Sequence, residues 1–350
     1  MKVIHYTDIH NSFKINNIEL NKKSCIDYAH NLIKNGKDYE IDVGLFLVDW
    51  FNDKPFIETK TSGTTGSPKN IKISKQAMVY SALATAHFFE LEAEDSALHC
   101  LPSKFIAGKM MLVRAIVNGF SLDIVSPSGN PLATVNKDYK FAAMVPLQVT
   151  QALDNLNVID TLIIGGASVS TNLAKALLAK KTKCFETYGM TETVTHIAAK
   201  RIGEDFFQAL PNVNLSVDER NCLVIEAPTI SEESVITNDI VDLKSSQIFK
   251  WLGRFDNVIN SGGVKLFPEQ IEAKIGNKIP FPYFIGAQKC DILGEKVVLV
   301  IESSSFEVTT KVFDNLGKYE IPKEIYFVSS FLRTETGKIN RIATLKEMNI

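Results

Sequence analysis

The segment from Thr61 to Lys69, which reads TSGTTGSPK, brings hydroxyl side chains, glycines and a lysine together. Glycines let backbone N–H groups approach an anion closely, and hydroxyl groups donate to phosphate oxygens. The lysine adds positive charge. The spacing differs from GxxxxGK[ST], so no Walker-type fold is implied. Polar clusters of this kind are usually plain loops, but the lysine placed after a proline favours phosphate binding.

A second segment, from Thr187 to Thr193, reads TYGMTET and follows the strand-like run KCFET. The Tyr188 ring could stack on a base, and the Thr191 hydroxyl could bind a phosphate. Glu192 could hold Mg²⁺ against phosphate oxygens. Taken alone, a heptamer of this composition is more often a surface turn than a nucleotide site.

A third feature is the run Gly165-Gly166-Ala167, which directly follows the apolar stretch TLII. If TLII is a strand of an open parallel sheet, these residues lie at its carboxyl end, where such sheets bind ligands. Their small side chains would leave room for a flat ring. In isolation, the same residues favour a plain strand-to-helix turn.

Two further motifs lie nearer the carboxyl terminus. The run GRFDNVINSGGVKLFPEQIE contains Arg254, which could reach a ribose or a phosphate. It also contains the turn at residues 261–263, whose backbone could closely approach a substrate. Its alternative is a linker followed by a hairpin. The run TETGKINR places Lys338 beside a glycine, which by default is an ordinary surface feature.

The alternation of apolar and helical runs predicts which elements position these motifs. Between residues 70 and 190, strand-like runs such as NIKIS, SLDIVSP, FAAMVP and TLII alternate with helical runs, which is typical of a parallel sheet flanked by helices. Beyond Thr193, NLSVDERNCLVIEAP and ESVITNDIVDL predict short antiparallel strands. Residues 257–350 predict a smaller α/β unit.

The first 60 residues predict a small α/β lead-in. The run SCIDYAHNLIKNG has helical spacing and a stop at Gly36. The run GLFLVDWF predicts a short strand or a buried turn. We expect the junction between domains within WLGRFDN, which divides the chain into residues 1–253 and 254–350.

Composition excludes several classes of protein. Of 350 residues, 45% are hydrophobic and 22% are charged, which is ordinary for a globular protein with a substantial core. A net charge of -2 gives no general attraction to nucleic acid or anionic membranes. The five cysteines form no CxxC pair. No run approaches the roughly 20 apolar residues that span a bilayer, and the start lacks a signal-peptide pattern, so we expect a cytoplasmic protein.

Taken in order, the motifs resemble the superfamily of acyl-CoA synthetases, nonribosomal-peptide adenylation enzymes and luciferases. TSGTTGSPK is similar to its phosphate loop, YGMTET to its nucleotide and magnesium motif, GRFDNVINSGGVKLFPEQIE to its hinge motif, and TETGKINR to its catalytic-lysine motif. The resemblance covers residues 57–345. It implies an α/β fold: a large N-terminal domain with parallel sheets flanked by helices plus a small β-subdomain, and a small mobile C-terminal α+β domain.

The resemblance also implies a reaction in two steps. A carboxylate and ATP give an acyl-adenylate and pyrophosphate, and a thiol, expected to be coenzyme A, then displaces AMP. Lys338 would bridge the carboxylate and the α-phosphate, Thr191 would contact the α-phosphate, and Asp256 would be the hinge that removes Lys338 before the thiol arrives. Positioning and charge neutralisation dominate such transfers.

The remaining assignments follow from the same resemblance. The phosphates of ATP would be held by Thr61, Ser62, Gly63, Thr64, Thr65, Gly66 and Lys69. Adenine would lie between Gly165, Gly166, Ala167 and Tyr188. The ribose would be bound by Asp239 and Arg254, with Asn238 in place of the usual glycine. Mg²⁺ would be held by Glu192 and Thr64. Coenzyme A would be bound by Ser261, Gly262, Gly263 and Lys265.

The chain is shorter than is usual in the superfamily, and it carries MTETVTHIA after the nucleotide motif. In these respects it resembles short o-succinylbenzoate–CoA ligases of menaquinone biosynthesis. Such an acid needs an apolar slot and donors for its second carboxylate. The candidates for this pocket are Ser103, Lys104, Gly108, Arg114 and His196.

Alternatives remain open on the sequence alone. The chain could activate another aryl or acyl acid, or load a carrier protein as a stand-alone adenylation enzyme. It could also be an inactive regulator that binds ATP or acyl-AMP, although the presence of Lys338 and Glu192 argues against that. We expect small-molecule partners only, with no nucleic acid and no membrane insertion, and either a monomer or a homodimer.

Overall fold

The computed structural model describes residues 4–60, 70–333 and 339–350. Helices of that part of the chain pack on the sheets described below. They are α1 (Lys22–Asn35), α2 (Asp38–Trp50), α3 (Lys75–Phe88), α4 (Ile106–Asn118), α5 (Pro146–Gln151), α6 (Thr171–Leu178), α7 (Pro268–Ile275) and α8 (Arg341–Glu347). Within the described ranges, no helix is long and apolar enough to cross a membrane.

The strands form a large sheet, a smaller sheet and a separate hairpin. In chain order they are β1 (Lys14–Ile15), β2 (Ile18–Glu19), β3 (Phe56–Lys60), β4 (Asn70–Ser74), β5 (Ser96–His99), β6 (Ser121–Ile124), β7 (Tyr139–Met144), β8 (Ile159–Ile164), β9 (Lys183–Gly189), β10 (His196–Arg201), β11 (Phe207–Ala209), β12 (Asn214–Val217), β13 (Cys222–Glu226), β14 (Val235–Ser245), β15 (Ile248–Arg254), β16 (Ile259–Ser261), β17 (Val264–Leu266), β18 (Tyr283–Cys290), β19 (Gly294–Glu302) and β20 (Glu324–Val328).

The large sheet has the order β12-β13-β14-β15-β11-β10-β9-β8-β7-β5-β6-β1-β2. Its strands from β9 through β8, β7, β5 and β6 to β1 pair in parallel. From β9 to β12 every pairing is antiparallel. The predicted α/β fold is therefore confirmed, and the predicted antiparallel strands continue the same hydrogen-bonded sheet.

The prediction for GLFLVDWF is wrong, because this run lies in helix α2 and ends just after it. In helix α2, the buried residues Val43, Phe46, Leu47 and Trp50 have the spacing of one helical face. The helix starts before the run, where the Lys37 N–H donates to the Glu40 carboxylate at 2.8 Å. A short apolar run alone cannot distinguish a strand from part of a buried helix.

The hairpin of β3 and β4 flanks the first candidate motif. Its strands pair from Phe56 with Ser74 to Lys60 with Asn70. Helix α3 then begins at Lys75, and the Ser74 hydroxyl caps it by accepting from the Ala77 N–H. The segment 61–69 between the two strands lies outside the described residues.

The smaller sheet follows β15 in the chain. It has the order β17-β16-β19-β18, and β20 adds to β19 in parallel. Helix α7, whose first residue is Pro268, packs its buried Ile271 and Ile275 into the core of this sheet. The chain passes between the sheets through residues 255–257. The division into domains of residues 1–253 and 254–350 stays a prediction.

Helices α1 and α2 meet at Gly44, which yields a stability prediction. A Cβ at Gly44 would lie 2.7 Å from the Ala29 carbonyl oxygen and 2.9 Å from Ile33 Cγ1. We expect Gly44→Val to lower the free energy of unfolding by about 2 kcal/mol, because overpacking forces the helices apart. The control Leu45→Val changes a neighbour that is 53% exposed. Urea denaturation of the two variants measures the difference, and equal midpoints would contradict the prediction.

Candidate functional site

The run Gly165-Gly166-Ala167 and the segment 187–193 lie side by side at the carboxyl ends of β8 and β9 in the large sheet. Strands β8 and β9 are parallel, with Ile164 opposite Glu186. Gly165 follows β8, and a Cβ there would lie 2.7 Å from the Thr187 hydroxyl oxygen. Gly166 has a φ of 83°, which favours glycine. Open α/β sheets bind ligands at the carboxyl ends of their parallel strands, which is where these residues lie.

The carboxylate of Asp239 lies at the centre of a buried polar cluster. The Tyr188 hydroxyl donates to its Oδ2 at 2.7 Å, and the Trp251 indole N–H donates to its Oδ1 at 3.2 Å. Arg254 Nη1 lies 3.5 Å from the same Oδ1. Burial, together with the charge of Asp239, raises the pKa of Tyr188 well above its usual value, so its hydroxyl stays a donor.

The cluster depends on the register of the strands that carry it. Asp239 of β14 pairs with Arg254 of β15, and Trp251 pairs with Val241 nearby. Each carboxylate oxygen has two lone pairs, and Oδ2 has a single donor, so Oδ2 can still accept a hydrogen bond from a hydroxyl group of a ligand. Of the predicted ATP-binding residues, Tyr188, Asp239 and Arg254 are therefore in direct contact.

A strained turn follows the segment at residues 187–193. The Thr195 N–H donates to the Thr193 carbonyl at 2.7 Å, and Val194 between them has φ 66° and ψ −59°. This is a γ-turn with positive φ, which is rare and costly for a β-branched residue. Thr191 and the exposed Glu192 lie in the 3₁₀ turn just before it. Strain of this kind clusters at functional sites.

Arg114 is a buried cation with neutral partners. It lies on α4 with 2% of its surface exposed. Its Nε donates to the Thr85 hydroxyl at 3.4 Å, and its Nη1 donates to the Met111 sulfur at 3.5 Å. In the part of the chain that the structure describes, no carboxylate pairs with it. Burial lowers the pKa of Arg114 to about 9.

His196 is the third partner of Arg114. Its Nδ1 lies 3.4 Å from Arg114 Nη2, and its Nε2 lies 3.5 Å from the Thr85 hydroxyl oxygen. Burial, and then the charge of Arg114, lowers the pKa of His196 well below its usual value, so the ring is neutral. Because a guanidinium only donates, Nδ1 must be the acceptor and Nε2 carries the proton. The cluster therefore retains an uncompensated positive charge, which a ligand anion would neutralise.

The other pocket candidates have different surroundings. Ser103 is buried, and its hydroxyl lies 2.8 Å from His99 Nε2. Burial lowers the pKa of His99 to about 4. A Cβ at Gly108 would lie 2.3 Å from the Pro102 carbonyl oxygen, so glycine lets the preceding turn pack on α4. Lys104 is exposed, and its ammonium lies 5.3 Å from the centre of the adjacent Phe105 ring.

The candidate thiol-binding turn is a two-residue hairpin. Ser261 pairs with Val264 across Gly262 and Gly263, whose φ values are 57° and 83°. Positive φ at both central residues is the type I′ geometry, which favours glycine. A Cβ at Gly263 would meet open space, and Lys265 is exposed. The turn belongs to the smaller sheet, whereas the Asp239 cluster belongs to the large one.

Several candidates lie outside the described residues, so their geometry stays a prediction. They are Thr61, Ser62, Gly63, Thr64, Thr65, Gly66, Lys69 and Lys338. For Mg²⁺, the described ranges contain no group of three or more His, Cys, Asp or Glu side chains that could hold a metal ion. Glu192 is a single exposed carboxylate. It fits an ion that keeps waters and phosphate oxygens as its other ligands, which is the usual binding mode of Mg²⁺.

Two side chains of these clusters, Trp251 and Thr85, are not part of the predicted site. Trp251 is one of two tryptophans, and it lies three residues before the candidate Arg254, but only the strand register places it on Asp239. Thr85 is a hydroxyl in the otherwise apolar run ALATA, a position that could have indicated a buried polar contact.

Comparison with known proteins identifies relatives of this chain. The model of the AMP-binding enzyme family matches residues 53–225. A protein of Dyadobacter fermentans described as acyl-CoA synthetase (AMP-forming)/AMP-acid ligase II-like is 33% identical. Its solved structure superposes with a TM-score of 0.63, over 94% of this chain and 99% of that chain.

More distant relatives share the fold. A 2-succinylbenzoate–CoA ligase of Listeria monocytogenes is 24% identical over 80% of this chain and 68% of its own length. The o-succinylbenzoate coenzyme A synthetase of Bacillus subtilis, solved in complex with ATP and magnesium ion, is 17% identical with a TM-score of 0.71. That superposition covers 92% of this chain and 82% of that chain.

The Tyr188 hydroxyl yields a prediction about nucleotide binding. We expect Tyr188→Phe to weaken AMP binding about fivefold, because Asp239 loses a donor that orients it. Tyr139→Phe is a matched control, since the Tyr139 hydroxyl also donates to an aspartate, Asp123, at 2.7 Å. Tyr139 lies at the opposite end of its strand from the candidate site. Calorimetric titration with AMP measures both variants, and equal effects would count against the assignment.

Proposed function

The chain belongs to the AMP-binding enzyme family, and from this premise we propose that it converts o-succinylbenzoate to o-succinylbenzoyl-CoA, a step of menaquinone biosynthesis. Its reaction class is that of an AMP-forming acid–thiol ligase, an acyl-CoA synthetase that uses ATP, Mg²⁺ and coenzyme A. The names of its relatives support this acid, at about a quarter identity. We place the reaction in the cytoplasm.

The buried cation Arg114 carries the proposal for the acid. An acid with a single carboxylate loses its charge when that group is activated, and it would leave Arg114 uncompensated. A second carboxylate supplies the missing counter-charge. Met111, His196 and Phe89 surround this position: Arg114 contacts Met111 and His196, and the Phe89 ring centre lies 6.3 Å from that of His196. Apolar and aromatic groups around one cation suit an aromatic dicarboxylate.

The proposed mechanism assigns each cluster a task. Asp239 accepts the ribose hydroxyls, while Tyr188 and Trp251 hold its carboxylate in place. The small residues 165–167 admit the adenine ring at the carboxyl end of β8. Thr191 positions the α-phosphate for attack by the carboxylate of the acid. Precise orientation supplies much of the rate in such a transfer, since the reactants themselves carry the reacting groups.

Charge neutralisation is the second task. Lys338 would stabilise the charge that shifts from the attacking carboxylate to pyrophosphate, and Lys69 would bind the phosphates that leave. Glu192 and Thr64 would hold Mg²⁺, which would supply positive charge to the phosphate oxygens. Ser261, Gly262, Gly263 and Lys265 would guide coenzyme A in the second step, in which its thiol displaces AMP.

The test of the proposed function is an assay of the purified protein with ATP, Mg²⁺ and coenzyme A. The acids compared are o-succinylbenzoate, benzoate and a fatty acid. We expect AMP and o-succinylbenzoyl-CoA, with little turnover of the other acids. Turnover of a different acid would retain the ligase and reject this substrate. No AMP release with any acid of a wider panel would favour an ATP-binding regulator instead.

Arg114 yields a prediction that separates the substrate from the fold. We expect Arg114→Met to reduce kcat/KM for o-succinylbenzoate about 100-fold, because the second carboxylate loses its charged partner. The free energy of unfolding should stay equal or rise, since the substitution removes an uncompensated buried charge. The control Arg201→Met alters an exposed residue at the end of β10, the strand that begins with His196. An unchanged KM and kcat in Arg114→Met would rule out this pocket.

Lys338 yields a prediction about the two half-reactions. We expect Lys338→Ala to slow acyl-adenylate formation about 1,000-fold, because the transition state loses its counter-charge. Transfer of the acyl group from added acyl-adenylate to coenzyme A should change far less. Rapid quench measurements of each half-reaction test this, with Lys346→Ala on α8 as the control. Equal loss in both steps would refute the division of labour.

A further inference from the structure

The residues that follow β15 are held on the large sheet by side chains of β14 and of the turn between β12 and β13. Arg254 belongs to the Asp239 cluster. The next ring, Phe255, lies under the Arg220 guanidinium, 5.2 Å from centre to centre. The Asp256 Oδ2 then accepts from the Asn238 amide at 3.4 Å, with Arg254 Nη2 3.8 Å away. Contacts to the large sheet therefore continue through Asp256.

Asn238 is the centre of this arrangement. Its amide oxygen accepts from Arg220 Nη1 at 3.0 Å, and its amide nitrogen reaches Asp256. Arg220 is itself oriented by Asp218, 2.7 Å from its Nη2, and by the Thr237 carbonyl, 3.2 Å away. Both ends of the amide are therefore used. A glycine at this position could make neither contact.

At Asn257, the residue after Asp256, the side-chain contacts change from the large sheet to helix α7. The Asn257 amide donates to Glu269 Oε1 of helix α7 at 2.5 Å, so it is fastened to the smaller sheet. The Gln270 amide of the same helix donates to the carbonyls of Trp251 and Leu252 at 3.2 and 3.0 Å. Those bonds cross between the sheets and must break if the smaller unit turns. The change from one set of partners to the other falls between Asp256 and Asn257.

We propose that Asn238 and Arg220 are positioning residues that hold the Asp256 hinge on the nucleotide-binding sheet and confine rotation to the link between Asp256 and Asn257. The inference rests on the proposed function and on the expected hinge at Asp256, about which residues 257–350 would turn between the two half-reactions. A pivot with one fixed side gives fewer unproductive orientations, so each half-reaction meets its residues in the required geometry. Neither residue needs to touch a reactant.

The chain offers its own reporters for a distance measurement. Trp50→Phe leaves Trp251 on β15 as the single tryptophan. Cys290, at the end of β18, is half-buried, whereas the other four cysteines are buried, so it can take a fluorescent acceptor. The two positions lie on opposite sides of the pivot. Time-resolved energy transfer then gives the distribution of Trp251–Cys290 distances with and without AMP.

We expect Asn238→Gly to widen this distribution in both conditions. The matched control is Asn221→Gly, since Asn221 has a φ of 62° that accepts glycine and its side chain forms no hydrogen bond with the described residues. Arg220→Lys should widen the distribution less than Asn238→Gly does, because lysine keeps the positive charge. It should still widen the distribution, since lysine cannot hold Asn238 and Phe255 together. A distribution in Asn238→Gly as narrow as in the control overturns the proposal.

Kinetics supply a second measurement. We expect Asn238→Gly to slow acyl transfer to coenzyme A at least about threefold more than adenylate formation, because only transfer must await rotation. AMP affinity should stay within about twofold, since Tyr188, Trp251 and Arg254 still hold Asp239. Equal slowing of both steps, or AMP binding lost in proportion, overturns the assignment. Failure of the proposed function would appear separately, as absent AMP release by the unsubstituted chain.

Discussion

The buried carboxylate of Asp239 must be surrounded by donors, and this requirement links parts of the chain that are far apart in sequence. Its donors come from β9, through Tyr188, and from β15, through Trp251 and Arg254. An unpaired carboxylate at this depth would be far less stable. The register between β14 and β15 is therefore coupled to the position of β9. The glycines that follow β8 lie beside β9.

Asp239 and Arg114 are buried charges in opposite circumstances. The carboxylate has three donors within the protein, so it stabilises the arrangement of the strands. Among the described residues, the guanidinium has only a histidine, a threonine and a methionine as partners, which satisfy hydrogen bonds but not charge. A protein retains such a group at a cost in stability. The first stabilises the pairing of β14 with β15, and in the proposed function the second recognises the acid.

Local features were predictable from sequence because their causes are local. The stop of α1 at Gly36, the start of α3 at Lys75 and the proline at the start of α7 follow from capping and backbone geometry. The motifs also predicted Tyr188, Asp239 and Arg254 as nucleotide-binding residues, and the structure brings these three side chains together. The run GLFLVDWF wrongly predicts a strand or a turn because it is mostly apolar. The amphipathic face of α2 appears only when the residues before this run are included.

The remaining features depend on contacts between distant residues. The indole of Trp251 reaches Asp239 only through the pairing of β14 with β15. Positive φ at Val194 contradicts its β-branched side chain, so composition predicts the reverse. The contact of Asn238 with Asp256 likewise needs β14 and the exit from β15 to lie side by side. No periodicity along the chain encodes such pairings.

The continuous sheet also has consequences at its two ends. A sheet of this width has unpaired backbone groups only along its outermost strands, β2 and β12. Strand β2 is two residues long, and Glu19 in it forms an ion pair with Lys14. Strand β12 has four residues, and Asn214 and Ser216 are exposed. Edge strands as short as these are poor templates for another chain. The architecture that aligns the site therefore also protects the protein from edge-to-edge aggregation.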